Sequence, residues 1–242
     1  MKKKLLLLLG LLPLTVQAQD TAEAVVDRYV SLLNYDALPK DSMLVMETTI
    51  IYRDQADTFY MRRYYQEGEM HRIEVYHGDS LTTGLCSNGT FRFREYSAAT
   101  EWWDDREPDQ WRSLMEPYDF RGPLYRWRER GIKLTYMGTS QVGGHDMLTV
   151  RTEQIDHYVR LYFFDPSNGL LVLIMERDEM PEGSHSSPFR TRNIDFKFVH
   201  EFMPMGESLV PSQESYRRGV DMVIMLTTMR FEPRNNLLFN QD

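Results

Sequence analysis

The residues that follow position 20 place apolar side chains at helical spacing. Within residues 21–34 these apolar positions are Ala22, Val25, Val26, Tyr29, Leu32 and Leu33. The spacing predicts an amphipathic helix with one apolar face. Asp20 or Thr21 can cap its start, and Pro39 lies beyond its end.

From residue 42 onward the pattern changes to short apolar or alternating segments, which predict β-strands. The predicted strands cover residues 42–52, 58–65, 70–77, 81–86, 90–96, 132–138, 147–153, 157–164, 170–177, 193–202, 208–217 and 221–231. The clearest turn signals between them are Asn88-Gly89, Gly143-Gly144 and residues 165–169. The order predicts successive antiparallel hairpins and not strand–helix–strand units.

Residues 107–130 interrupt the series of strands. Apolar residues and three prolines in this segment predict two short helices, over residues 109–116 and 121–130. Gly131 follows the second helix at the position where glycine commonly ends one.

Two strands have apolar residues on both of their faces, namely LLVLIM at 170–175 and MVIML at 222–226. One face of an antiparallel sheet usually meets water, so double-sided apolarity indicates that both faces are covered. The predicted fold class is therefore α+β and mainly β. We expect one strongly curved antiparallel sheet of about ten strands, an incomplete and open β-barrel, with helices covering the concave face.

A covered concave face is either a filled core or the wall of a cavity, and both readings stay open here. Fifteen methionines favour an adaptable apolar lining. Under strict alternation two sets of side chains each share one face, and we expect at least one set to line a hollow. The sets are Leu171, Leu173 and Met175, and Met222, Ile224 and Leu226. Trp111 and Trp127 from the predicted helices are expected above them.

The N-terminus has the pattern of an export signal. Lys2, Lys3 and Lys4 precede an apolar run from Leu5 to Val16 that is too short for a permanent membrane span. Val16-Gln17-Ala18 offers small residues for cleavage after Ala18, and no Cys follows to carry a lipid anchor. We expect a periplasmic protein with one domain over residues 19–242. Loss of the three lysines takes the formal charge from −8 to −11, which argues against binding to nucleic acid.

The chain lacks the short motifs of common enzymes and nucleotide-binding sites. Its six histidines are scattered, and Cys86 is its single cysteine, which indicates a small buried apolar residue. The acidic run 104–109 lacks the spacing of a calcium loop. We therefore expect neither catalysis nor a metal or cofactor.

The order of several short phrases resembles that of a known family. Asn88-Gly89-Thr90-Phe91, Arg121-Gly122-Pro123-Leu124, Gly144-His145-Asp146, Leu209-Val210-Pro211-Ser212 and, most specifically, YFFDPSNGLL at 162–171 occur in the family's order. The chain thus resembles the LolA/LolB-like superfamily of lipoprotein carriers. The resemblance implies an incomplete barrel closed by helices around a cavity for acyl chains. It also implies an arginine at the cavity mouth, for which Arg62 and Arg63 are the candidates, although Tyr64 stands where the carriers have proline.

Two functions follow as hypotheses. The first is an exported, monomeric carrier or chaperone that binds acyl chains of lipids or lipoproteins, with envelope membrane proteins as further partners. The second is a structural or regulatory envelope protein of the same fold, with a filled core and a protein partner.

Overall fold

A computed structural model describes residues 21–53, 58–66, 70–88, 93–97, 102–105, 120–153, 158–178, 194–218 and 221–239. One α-helix and thirteen strands form the described part of the chain. They are α1 (Ala22–Leu33), β1 (Ser42–Tyr52), β2 (Thr58–Gln66), β3 (Met70–His77), β4 (Ser80–Asn88), β5 (Phe93–Ser97), β6 (Trp102–Asp105), β7 (Lys133–Val142), β8 (His145–Glu153), β9 (Tyr158–Phe164), β10 (Leu171–Asp178), β11 (Ile194–Met205), β12 (Ser208–Arg218) and β13 (Asp221–Pro233). Short 3₁₀ helices lie at Tyr35–Ala37 and Asn236–Phe239.

All thirteen strands belong to one antiparallel sheet, as the hairpin order predicted. The sheet order is β6-β5-β4-β3-β2-β1-β13-β12-β11-β10-β9-β8-β7. The first and last strands pair at its middle along their whole length, from Ser42 opposite Pro233 to Tyr52 opposite Val223. β6 and β7 form the two outer edges, so the sheet is not closed into a barrel. Residues 120–132, which are the described part of the chain between these two edge strands, precede β7.

Helix α1 forms where the helical spacing predicted it. Thr21 is its N-cap, and the Thr21 hydroxyl accepts a hydrogen bond of 3.1 Å from the Ala24 amide. The helix ends at Leu33. The Asn34 amide still donates to the Val30 carbonyl, and the left-handed backbone of Asn34 (φ 46°) then turns the chain out of the helix. The buried face of α1 packs against one half of the sheet, from β7 to β12.

The second predicted helix, over 121–130, is wrong, because this segment is a run of turns. Gly122 and Arg126 both have positive φ, 75° and 52°, which a right-handed helix does not allow. Only the end of the segment resembles a helix terminus. Gly131 (φ 65°) donates to Arg128, and Ile132 donates to Trp127, which is the pair of bonds that closes a helix at glycine. The other predicted helix, over 109–116, lies outside the described residues.

The C-terminal 3₁₀ helix covers part of the convex face. Phe239 is only 2% exposed and packs with Met43, Val45 and Cys86 on the outer side of β1 and β4. The Arg72 guanidinium donates to the Leu238 carbonyl at 2.9 Å, which holds the terminus on the sheet. Cover on this side explains why β1 buries residues on both of its faces.

A side chain of α1 is bound to the turn between β9 and β10. The Arg28 guanidinium donates to the carbonyls of Pro166 and Ser167, both at 3.2 Å. Gly169 (φ 79°) closes this turn, and a Cβ at that position would lie 2.6 Å from Arg28 Nε. Glycine is therefore required for two reasons, the backbone conformation and the close approach of the helix side chain.

We predict that Gly169→Ala destabilises the protein more than Gly143→Ala does. Gly143 also has positive φ (59°), but a Cβ added there would have no atom within 4 Å. Both variants carry the backbone cost of about 1–2 kcal/mol. Gly169→Ala also displaces Arg28, which adds about 1 kcal/mol. Chemical denaturation measures both, and equal losses would contradict the contact. In an Arg28→Ala background the difference should disappear.

A second prediction concerns the C-terminal cover. Phe239→Ala should lower the free energy of unfolding by about 3 kcal/mol, because it empties a buried aromatic site. Leu237 lies two residues away and is 76% exposed, which makes Leu237→Ala the matched control. The control should change stability by less than about 0.5 kcal/mol. Similar effects of the two substitutions on thermal and denaturant unfolding would refute the packed terminus.

Candidate ligand cavity

A cavity of about 470 Å³ lies on the concave side of the sheet. Its floor is formed by β1, β2, β3, β4, β10, β11, β12 and β13, and residues 120–124 form another part of its wall. Tyr29 is the contribution of α1. The volume falls within the range of pockets that hold small molecules, roughly 300–1,000 Å³.

In the described residues, α1 packs against only part of the face of the sheet on which the cavity lies. On the covered half, α1 packs on buried side chains such as Val150, Tyr162 and Phe164. On the other half the apolar side chains Ile50, Met61, Val75, Met225 and Met229 line the cavity, as do Tyr52 and Phe59. The sheet thus presents an apolar surface that no described helix covers.

On β10 a β-bulge decides which side chains reach the cavity. The pairing with β9 shifts between Leu171 and Leu173, so strict alternation fails there. Leu171 and Ile174 line the cavity. Leu173 and Met175 pack in a cluster on the convex face with Phe163 and Phe198. Of this predicted lining set, only Leu171 lies where we expected it.

On β13 the predicted set lies on the convex face. Met225, Thr227 and Met229 line the cavity, and Met222, Ile224 and Leu226 alternate with them. Leu226 is 42% exposed. The placement of these three is therefore corrected, because pairing with β1 turns the other row of β13 inward. Lipid binding by any of the cavity side chains stays a prediction.

The two predicted tryptophans do not cover the cavity in the described residues. Trp111 lies outside them. Trp127 packs at the margin of the core under α1, and its indole N–H donates to Asp27 at 3.2 Å. Arg128 stacks on this indole and also binds Asp27, which holds the pKa of the Asp27 carboxyl below its usual value. Trp127 therefore joins residues 120–131 to the helix.

The two arginines proposed for the cavity mouth point to opposite faces of β2. Arg63 lines the cavity, and its Nη2 donates to the Thr48 hydroxyl at 3.2 Å. Arg62 lies on the convex face, where it binds Glu47 at 3.2 Å. A hydrogen bond from Tyr60 lowers the pKa of Glu47, and Arg230 and Arg62 add to this effect. Of the pair, Arg63 alone can contact a ligand in the cavity.

Sequence reasoning missed several polar groups of the cavity, because long-range pairing brings them together. Lys197 and Glu214 form an ion pair of 2.8 Å across β11 and β12. The hydroxyls of Thr48 and Thr227 lie 2.8 Å apart across β1 and β13. Burial raises the pKa of the Tyr29 hydroxyl, and the charge of Glu214 raises it further, so this hydroxyl stays protonated.

Arg121 is the other residue of the wall that sequence reasoning left without a role. It is 9% exposed, and its guanidinium lies over the rings of Tyr65 and Tyr125 at 5.1 and 5.0 Å. In the described segments, no group of three or more His, Cys, Asp or Glu side chains could hold a metal ion. None of the described helices has the length and apolarity needed to cross a membrane.

Comparison with solved structures gives this architecture its place among known folds. A LolA superfamily protein from Nitrosomonas europaea superposes with a TM-score of 0.58 at 10% identity, over 91% of this chain and 98% of that one. A DUF1329 family protein from Desulfovibrio piger gives 0.57 at 11% identity, over 92% and 98% of the two chains. The chain therefore has a LolA-like fold.

The resemblance predicted from short phrases is thus confirmed at the level of the fold. A third structure with the LolA-like fold is a domain from Vibrio parahaemolyticus described as an outer membrane lipoprotein-sorting protein. It gives a TM-score of 0.54 at 9% identity, over 89% of this chain and 97% of that one. No protein-family model matches the chain, and no curated protein sequence matches it. Identities near 10% show a shared fold and nothing finer.

Proposed function

We propose that this protein binds the apolar chain of a lipid or lipoprotein in its concave cavity. In this role it acts as a carrier or chaperone in the trafficking of envelope lipids or lipoproteins. The cavity itself is the observation that carries the proposal. Apolar side chains from β1, β2, β3 and β13 face it, and none of the described helices packs on them. Such a surface gains free energy when an apolar chain is buried there.

The comparisons support this proposal through the fold. One structure with a LolA-like fold is described as a lipoprotein-sorting protein. A predicted export signal over residues 1–18 would deliver residues 19–242 to the periplasm, where such a carrier acts. The signal lies outside the described residues, so its cleavage after Ala18 stays a prediction.

The wall of the cavity is suited to holding a ligand and offers no arrangement for catalysis among its described residues. Its polar groups bind one another, as in the pairs Lys197–Glu214 and Thr48–Thr227. A nucleophile would need an adjacent base that is itself oriented by a third group. We therefore propose action by binding alone, as a monomer, without a cofactor.

The sharpest test uses two neighbouring residues of β13 that lie on opposite faces. Met225→Trp places a bulkier side chain into the cavity, whereas Leu226→Trp places it on the convex face. Nile red, an uncharged apolar fluorophore, serves as the probe. Displacing the equivalent of two methylenes of ligand costs about 1.6 kcal/mol, so Met225→Trp should weaken binding at least about tenfold.

Leu226→Trp should bind the probe as the unsubstituted protein does. Both variants need thermal unfolding as a check that the sheet remains intact. Probe binding that is absent from the unsubstituted protein, or equal in both variants, would reject the cavity as a ligand site. The alternative, a protein-binding envelope protein of this fold with a filled core, would then take its place.

A further inference from the structure

The inner side chains of β2 change from apolar to polar along the cavity. In order they are Phe59, Met61, Arg63 and Tyr65, and the first three line it. Alternate residues of a strand lie about 7 Å apart, so the change from apolar to polar side chains takes place within the length of one ligand molecule. A cavity with an apolar end and a cationic end has the polarity of an amphiphile.

Arg121 extends the cationic end beyond Arg63. The Arg121 guanidinium donates to the Tyr65 hydroxyl at 3.4 Å and is flanked by the rings of Tyr65 and Tyr125. Aromatic contacts occupy the faces of a guanidinium, and its N–H donors lie in its plane. That geometry holds the side chain in place and suits it to bind a carboxylate or phosphate edge-on.

Arg121 also lines a second cavity, of about 350 Å³, next to the first. Other charged residues around the second cavity are Asp36, Lys40 and Arg126. The described lining of the main cavity carries three cationic side chains, Arg63, Arg121 and Lys197, and one carboxylate, Glu214. Both linings carry more cationic than anionic side chains and share Arg121, so they favour a negative charge near Arg121.

We infer that the ligand is an anionic amphiphile whose carboxylate or phosphate binds at Arg63 and Arg121, with its chain along Met61 and Phe59. This inference rests on the proposed function, since it assigns the ligand class of the same cavity. It also gives the two arginines different tasks. Arg121 is the fixed contact, held by two rings, and Arg63 is the contact nearer to the apolar end.

The experiment measures displacement of Nile red from the protein by hexadecanoate, hexadecyl phosphate and uncharged hexadecan-1-ol. We expect the two anions to bind at least about tenfold more tightly than the alcohol, which is the effect of one charge-assisted hydrogen bond. Inorganic phosphate should displace nothing, because it has no chain. Displacement by inorganic phosphate would overturn the assignment to an amphiphile.

Arg63→Met and Arg121→Met should each reduce the preference for the anions while the alcohol binds as before. Arg62→Met is the matched control, because Arg62 is the next residue of β2 but lies on the convex face. If Arg121→Met lowers thermal stability, Arg121→Lys keeps the charge and should keep most of the preference.

The outcomes separate the two proposals. Equal affinity for hexadecanoate and hexadecan-1-ol, unchanged by Arg63→Met and Arg121→Met, would overturn the anionic site and leave the apolar cavity standing. A loss of preference in Arg62→Met as large as in Arg63→Met would also overturn the site. Failure of every chain-bearing ligand to displace the probe would overturn both proposals.

Discussion

The structure depends on one constraint, which is that α1, the one α-helix among the described residues, is much shorter than the sheet against which it packs is wide. The twelve residues of α1 span about 18 Å. Thirteen strands at about 4.8 Å spacing make a sheet roughly 60 Å wide along its curve. The helix packs over β7 to β12, and no described helix lies above the apolar row of β1, β2 and β13. The cavity lies over this part of the sheet, beyond the reach of the short helix.

The connection between the sheet edges completes the arrangement. β6 and β7 lie at opposite edges of the sheet, and residues 120–124, from the described part of the chain between them, form part of the cavity wall. Trp127 and Arg128 tie this segment to Asp27 of α1, and Tyr125 donates to Asp36 at 2.9 Å. The same contacts hold Arg121 at the cavity. Residues 120–124 thus bring the buried guanidinium of Arg121 to the wall of the cavity.

Features that depend on neighbouring residues could be predicted from the sequence. The spacing of Val25, Val26 and Tyr29 predicted α1, and Gly143-Gly144 marked the turn between β7 and β8, where both glycines have positive φ. Double-sided apolarity of 170–175 correctly indicated cover on both faces, since Ile174 faces the cavity and Leu173 the convex cluster. β6 was missed because only four residues form it.

Features that depend on distant pairing could not be predicted in this way. The bulge near Leu171 adds one residue to β10 relative to β9. Every side chain of β10 beyond the bulge therefore points to the face opposite to the one that strict alternation predicts. The inward row of β13 follows from its pairing with β1, which lies far earlier in the chain; Thr48 and Thr227, for example, are 179 residues apart. The turns at Gly122 and Arg126 required backbone conformations that apolar spacing does not encode.

Site-resolved cross-linking tests the central claim that the concave face holds an apolar chain. Hexadecanoate with a diazirine in its chain is irradiated with the protein, and the labelled residues are identified by peptide mass spectrometry. We expect labels on Met61, Ile174 and Met225, which face the cavity. Labels confined to the convex residues Leu226 and Met175, or labelling that excess unlabelled hexadecanoate does not reduce, would contradict the claim.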